Sequence, residues 1–277
     1  MTIQTALLQG VELLETARVP AARLTAEVLL CHALRRERPY LYGHPGQELS
    51  ETAWIHYGRY LHERVEGKPT QYITRQQEFY GRMFAVSPAV LIPRPETEHV
   101  VETVLKLAPA AQRIADIGCG SGAIAVTLAL ELPRAIVWAS DISSAALEVA
   151  AGNARRHQAS LHLVAADLCA AFREESFDAV ACNPPYVPLD DKSLLQAEVR
   201  DYEPQVALFG GPKGTEIYER LIPEAVRVLQ PGGWLVVELG YHSLEQVRAM
   251  LGACWTEVLI VDDLAGIPRV LAARLQP

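Results

Sequence analysis

From its first residue to about position 67, the chain places apolar side chains at every third or fourth position. This spacing puts them on one face of a helix. Three such faces can be read from the sequence: Leu7, Val11 and Leu14; Leu24, Val28 and Cys31; and Trp54, Tyr57, Leu61 and Val65. Pro20 suits the first turn of the second helix, and Ser50 suits the N-cap of the third. We therefore predict a small N-terminal helical domain over residues 1–70 that docks the substrate.

Between residues 71 and 98 the apolar runs become short, and we predict a hairpin followed by a linker. The runs 71–73, 78–80 and 83–86 are typical of strands. Two prolines then flank Arg94, so this part of the linker is rigid and aims one cation. Taken alone, such an arginine is most simply a solvated linker residue. Pro95 or Thr97 can open the next helix.

Residues 99–277 alternate between strand-like and helix-like patterns. Strands are predicted over 113–117, 135–140, 161–165, 177–182, 234–239, 257–261 and 270–274, and helices over 123–132, 144–157, 216–229 and 244–251. Strands that alternate with helices imply a parallel, doubly wound sheet. The second domain is therefore expected to be an α/β domain.

Composition narrows the class of protein. Half of the 277 residues are apolar, and 25 basic against 33 acidic residues give a net charge of −8, which lacks the basic footprint of a nucleic-acid binder. The first 15 residues have no basic segment and the apolar runs are short, so we expect no signal peptide, no membrane span and a cytoplasmic location.

The five cysteines are scattered without a CxxC pair, which favours buried hydrophobic residues over a metal site or, at Cys182, a nucleophile.

A glycine-rich turn follows the strand predicted at 113–117. Its residues are Gly118, Cys119, Gly120, Ser121 and Gly122. Glycines at alternate positions let the backbone approach a ligand closely and expose amides at the start of a helix. The spacing is G-x-G-x-G, which differs from the G-x-G-x-x-G of dinucleotide sites, and a plain tight turn would also explain it.

Acidic residues end the next two predicted strands. Asp141 is placed to accept both hydroxyls of a ribose, and Asp167 to accept from an exocyclic amine, with Leu168 packed on the ring. Each acid alone could be a solvated residue at a strand end. Because three neighbouring strand ends carry suitable groups, we expect a nucleoside cofactor across this edge of the sheet.

The fourth predicted strand ends in Asn183, Pro184, Pro185 and Tyr186. Prolines donate no backbone hydrogen bond and restrict φ, so the loop is stiff. The amide oxygen of Asn183 and the carbonyl of Pro184 are two acceptors that suit a planar NH2 group, and Tyr186 offers an aromatic ring to cover it.

Taken in order, the glycine turn, Asp141, Asp167 and the Asn-Pro-Pro-Tyr tetrapeptide resemble an S-adenosylmethionine-dependent methyltransferase with a Rossmann-like domain. The segments 78–81, 90–98 and 203–211 make the chain similar to the release-factor glutamine methyltransferase family over nearly its whole length. Two positions depart from the family pattern: Arg75 follows the Tyr-Ile-Thr of the hairpin, and Lys213 replaces an acid before Gly214.

The resemblance implies N5-methylation of the glutamine in the Gly-Gly-Gln loop of class-one peptide chain release factors, with S-adenosylhomocysteine as the second product. It implies that residues 118–122, Asp141, Asp167, Leu168 and Asn183 hold the cofactor. It further implies that the glutamine is bound by Asn183, Pro184, Pro185 and Tyr186. Of these, Asn183, Pro184 and Tyr186 would act in catalysis. Arg94 would help to dock the release factor. We expect a monomer without a metal. Glutamine methylation of a ribosomal protein and amino-methylation of a nucleic-acid base stay open as alternatives.

Overall fold

The computed structural model describes residues 1–277, which divide into two compact units. One unit consists of residues 1–75 together with 196–202, and the other of residues 76–195 together with 203–277. The second unit contains the sheet.

The first unit is helical. Its helices are α1 (Ile3–Thr16), α2 (Ala22–Leu34), α3 (Arg38–Gly43), α4 (Glu51–Val65) and α5 (Thr70–Thr74). Its core includes Leu14, Leu29, Leu30 and Tyr57, all fully buried, and the Ser50 hydroxyl accepts from the Ala53 N–H at 3.2 Å, as expected of an N-cap.

Two expectations for this unit are wrong. Leu24 is 46% exposed, because α2 turns the side of Ala26, Leu29 and Leu30 inward instead. Residues 71–73 form helix α5 rather than a strand. The carbonyl of Pro69 accepts the N–H groups of Tyr72 and Ile73, which closes a helical turn, and both side chains are buried in that turn.

The second unit is built on strands that alternate with helices. Its strands are β1 (Gln76–Phe79), β2 (Arg82–Ala85), β3 (Arg113–Ile117), β4 (Ile136–Asp141), β5 (Leu161–Ala165), β6 (Phe177–Cys182), β7 (Val187–Pro188), β8 (Phe209–Gly211), β9 (Leu229–Glu238), β10 (Trp255–Asp262) and β11 (Pro268–Leu275). Its helices are α6 (Glu98–Leu107), α7 (Ala123–Glu131), α8 (Ser144–His157), α10 (Gln205–Leu208), α11 (Glu216–Val228) and α12 (Leu244–Ala249); α9 (Ala197–Tyr202) lies in the segment that belongs to the first unit.

Seven strands form the central sheet in the order β10-β11-β9-β6-β3-β4-β5. The pairs from β9 through β6, β3 and β4 to β5 are parallel, whereas β11 pairs antiparallel with both β9 and β10. The predicted doubly wound, mostly parallel sheet is confirmed. Because parallel strands end at the same edge, the residues that follow β3, β4, β5 and β6 are brought together there.

Side chains of the parallel strands are buried on both faces of the sheet. Ile114, Val137 and Ala181 point into one apolar cluster with α6, α7 and α8, whereas Ile117 and Val180 point into another with α11. Helices on both faces explain why these strands are continuously apolar in the sequence. No helix combines the length and hydrophobicity that a membrane crossing requires.

Candidate active site

A cavity of about 330 Å³ opens where the parallel strands end. All of its lining residues belong to the second unit. From the predicted sites, the structure brings into this lining Gly118, Cys119, Gly120, Ser121, Asp141, Asp167, Leu168, Asn183 and Pro185. Gly122, Pro184 and Tyr186 are not part of it.

The glycine turn forms one wall of the cavity. Gly118, Gly120 and Gly122 have φ angles of 71°, 52° and 78°, which non-glycine residues rarely adopt. A Cβ atom added to Gly118 or Gly120 would have no protein atom within 4 Å, so open space adjoins the backbone at both positions. Gly122 instead serves packing, because its added Cβ would lie 3.1 Å from the Cβ of Ala150 in α8.

The Asp141 carboxylate is held in place by backbone amides. One oxygen accepts from the Gly120 N–H and the other from the Ser143 N–H, both at 2.8 Å. Each oxygen keeps a second lone pair, so the carboxylate can still accept from a pair of hydroxyls. Asp167 differs, because it forms an exposed ion pair with Arg220 at 2.6 Å, and both side chains line the cavity.

The Asn183 amide is oriented by a residue that the sequence did not single out for chemistry. Its Nδ2 donates to the hydroxyl of Thr97 at 3.0 Å, and that hydroxyl donates to the Glu238 carboxyl at 2.6 Å. Thr97 and Glu238 are 4% and 2% exposed. The amide oxygen of Asn183 accepts no hydrogen bond from the chain and is available to a ligand.

Tyr186 faces the same carboxyl group. Its hydroxyl donates to the other oxygen of Glu238 at 3.2 Å, and its ring packs against Gly240, where an added Cβ would come within 2.9 Å of it. Burial raises the pKa of Glu238 to about 7, and the bonds from Thr97 and Tyr186 act in the opposite direction. Burial likewise raises the pKa of Tyr186. The Tyr186 ring does not line the cavity, and its role in covering the substrate stays a prediction.

Arg94 is not a free cation. Its guanidinium pairs with the buried carboxylate of Glu203, which also accepts from the Ile92 N–H at 3.1 Å. Glu203 thereby ties down the segment that carries Leu91 and Pro93 along the cavity. A role for Arg94 in docking a partner stays a prediction.

Sequence reasoning missed Thr97 and Glu238 as parts of the site. A usable signal was present at Glu238, which is the single acid of an otherwise apolar strand end. The sequence predicts Thr97 only as a helix opener, and it does precede α6 as the last residue of a short 3-10 turn, Pro95–Thr97. Cys182 is fully enclosed and burial raises the pKa of its thiol, which does not suit a nucleophile.

Comparison with known proteins decides the family. A family model described as Methyltransferase small domain matches residues 96–198, and one described as PrmC N-terminal domain matches residues 5–74. A protein of Koribacter versatilis named release factor glutamine methyltransferase is 45% identical over 277 residues, covering 99% of each chain. Another of that name, from Geobacter sulfurreducens, is 42% identical and covers 93% of this chain and 91% of its own. The chain belongs to the release factor glutamine methyltransferases.

Solved methyltransferase structures share the fold at low identity. A methyltransferase of Pyrococcus furiosus superposes with a TM-score of 0.54 at 19% identity, covering 72% of this chain and 91% of its own. A 16S rRNA methyltransferase of Thermus thermophilus, solved with AdoMet and guanosine, gives 0.51 at 20% identity, covering 73% and 50%. The predictions of an α/β methyltransferase fold, of this family and of an S-adenosylmethionine-dependent enzyme are confirmed.

Proposed function

We propose that this release factor glutamine methyltransferase transfers a methyl group from S-adenosylmethionine to the side-chain nitrogen of the glutamine in the Gly-Gly-Gln loop of class-one release factors. The observation that carries the proposal is the Asn183 amide, whose nitrogen is engaged by Thr97 while its oxygen is left to accept from a substrate. The products would be N5-methylglutamine, S-adenosylhomocysteine and the proton that the nitrogen releases.

The residues at the cavity fit the cofactor. The open space beside Gly118 and Gly120 would admit a ligand against the backbone, and Asp141 would accept the ribose hydroxyls. Asp167 would accept from the adenine amine, with Leu168 against the ring. The cofactor supplies an electrophilic methyl group on a sulfonium. The chain orients the substrate nitrogen and supplies hydrogen-bond acceptors for it.

The chain's part in the reaction is to hold an amide nitrogen for attack. A glutamine nitrogen is a poor nucleophile because its lone pair is delocalised into the carbonyl group. If Asn183 Oδ1 and the Pro184 carbonyl each accept one N–H, the nitrogen is fixed in one orientation, which supplies a large share of the rate. The same acceptors are also favourable to the positive charge that develops on the nitrogen. Pro185 lines the cavity beside them. The buried Pro184 would keep this acceptor pair rigid, and Tyr186 would wall the substrate glutamine.

Because the chain belongs to this family, a release factor is the substrate that we favour. The helical first unit would help to dock it. Arg94, which pairs with Glu203, would contribute less. The charge of −8 supports a protein partner over a nucleic acid. A monomer in the cytoplasm is part of the same proposal.

Transfer of label from methyl-labelled S-adenosylmethionine to a purified class-one release factor tests the proposal. We expect label on the native factor, none on a factor whose Gly-Gly-Gln glutamine is replaced by alanine, and loss of nearly all turnover in Asn183→Ala. A cooperative thermal unfolding transition in Asn183→Ala would separate lost chemistry from lost folding. Label on a ribosomal protein or an RNA, with an unlabelled release factor, would overturn the proposal in favour of those substrates.

A further inference from the structure

The hydroxyl of Thr97 lies between two partners that come from distant parts of the chain. Asn183 follows β6, Glu238 ends β9, and Thr97 precedes α6. The nitrogen of the Asn183 amide is 3.0 Å from the hydroxyl oxygen, and a Glu238 oxygen is 2.6 Å from the same atom. Thr97 and Glu238 are almost completely buried, so water does not compete for these bonds.

The direction of each bond follows from the number of hydrogens. Above its pKa of about 7, Glu238 is a carboxylate that can only accept, so the single hydrogen of the Thr97 hydroxyl is donated to it. The Tyr186 hydroxyl, which donates to the other oxygen of that carboxylate, adds a second donor and leaves it an acceptor at both ends. What Thr97 then offers to Asn183 is a lone pair, which can be met only by the NH2 end of the amide.

This arrangement excludes the other orientation of the Asn183 side chain. Rotating the amide by half a turn would set its oxygen against a hydroxyl oxygen that has no hydrogen left to give. A buried pair of acceptors facing each other is costly, on the order of 1–3 kcal/mol. The Asn183 oxygen is therefore kept on the side that is free to meet a substrate.

From this geometry we propose that Thr97 and Glu238 are positioning residues, which act through Asn183 to present an acceptor to the substrate and so select an amide NH2 over a carboxylate. The inference rests on the proposed function. A glutamine side chain brings two N–H donors to the Asn183 and Pro184 oxygens, whereas a glutamate brings only further lone pairs. If the Asn183 amide rotated by half a turn, it would present its NH2 group as a donor. The site would then bind glutamine more weakly and glutamate more strongly.

A matched set of variants tests the role of the hydroxyl. Thr97→Val keeps the shape and removes the hydroxyl; Thr97→Ser and Thr97→Ala both lose the methyl group and differ only in the hydroxyl. Each variant is measured as the full chain with release factor and S-adenosylmethionine at about pH 8.5, above the pKa of about 7 at Glu238, so that the carboxylate form prevails. Affinity for the cofactor is measured in parallel as a check on folding.

We expect Thr97→Val and Thr97→Ala to lower kcat by about 10- to 100-fold, the cost of a misplaced reacting group, with a much smaller effect on cofactor affinity. Thr97→Ser should stay close to the parent enzyme. The decisive readout is binding of a release factor in which the Gly-Gly-Gln glutamine is replaced by glutamate. The parent and Thr97→Ser should discriminate against it, and Thr97→Val and Thr97→Ala should lose most of that discrimination.

Equal kcat and equal discrimination in Thr97→Ser and Thr97→Ala would overturn the positioning role, even if Thr97→Val failed to fold. Asn183→Ala distinguishes this failure from that of the proposed function. If Asn183→Ala is inactive while Thr97→Ser and Thr97→Ala behave alike, the acceptor role of Asn183 stands and its orientation has another cause. If Asn183→Ala methylates the release factor normally, the proposed function of the site is itself wrong.

Discussion

At the scale of single residues, Asp116 shows how an ionisable group in the core makes stability depend on pH. It is fully buried on β3, where one carboxyl oxygen accepts from the Ala125 N–H at 3.0 Å and the other has no partner. Burial raises the pKa of Asp116 from 3.8 to about 7. The folded chain therefore keeps a proton between these values that the unfolded chain has already released, so the free energy of unfolding falls as pH rises from about 4 to about 7.

We predict that Asp116→Asn flattens this part of the stability curve. The asparagine oxygen can still accept from Ala125, and no charge has to be buried above pH 7. Between pH 4 and pH 7, the fall in the free energy of unfolding should become smaller by roughly 2–5 kcal/mol, from about 1.4 kcal/mol for each unit of pKa. Urea unfolding at a series of pH values measures it, with the exposed Asp190→Asn as the matched control. An unchanged slope in Asp116→Asn would show that the carboxyl is ionised in the folded state.

At the scale of elements, the loop before α6 is held by one buried carboxylate. Glu203 accepts from the Ile92 N–H and pairs with Arg94, and the segment it restrains lines the cavity through Val90, Leu91 and Pro93. Removing one partner of a buried ion pair leaves the other uncompensated. Because 32% of the Arg94 side chain is exposed, water will partly relieve that loss.

We predict that Glu203→Ala lowers the free energy of unfolding by about 2–3 kcal/mol, just below the range of about 3–5 kcal/mol for fully buried pairs, and weakens cofactor binding. Glu257→Ala is the control, because Glu257 pairs with Arg274 at 2.7 Å on the surface and should cost at most about 1 kcal/mol. Chemical denaturation and calorimetric titration with S-adenosylmethionine give the two quantities. If the two variants match in both, Glu203 does not restrain the loop.

At the scale of the whole molecule, charge bears on the choice of partner. The chain carries −8 and has a pI near 5.5, so its net charge repels a phosphate backbone. We predict that a single-stranded RNA oligonucleotide in excess leaves methylation of the release factor unchanged at both 50 and 200 mM salt. Inhibition that is strong at the lower salt and fades at the higher one would reveal an electrostatic RNA site and favour the base-methylating alternative.

Much of the site could be predicted from sequence because it rests on local rules. Gly118, Gly120 and Gly122 have positive φ angles, which favour glycine, so the spacing of the glycines alone indicates this turn. The strand predicted at 177–182 is observed with those bounds, and its end places Asn183 at the cavity. The short elements between β6 and α11 were missed, because runs of two to six residues carry too little periodicity.

By itself, then, the sequence determined the order of the main strands and helices, the mostly parallel sheet, the family and the strand-end residues that meet at the cavity, because spacing and turn chemistry act between neighbours along the chain. Only the tertiary structure decided how the chemical groups are paired. Thr97 meets Asn183 across 86 positions and Glu238 across 141, and Glu203 reaches Ile92 across 111. No local pattern encodes such bonds, since buried donors and acceptors find their partners only once packing has excluded water and left each a single choice.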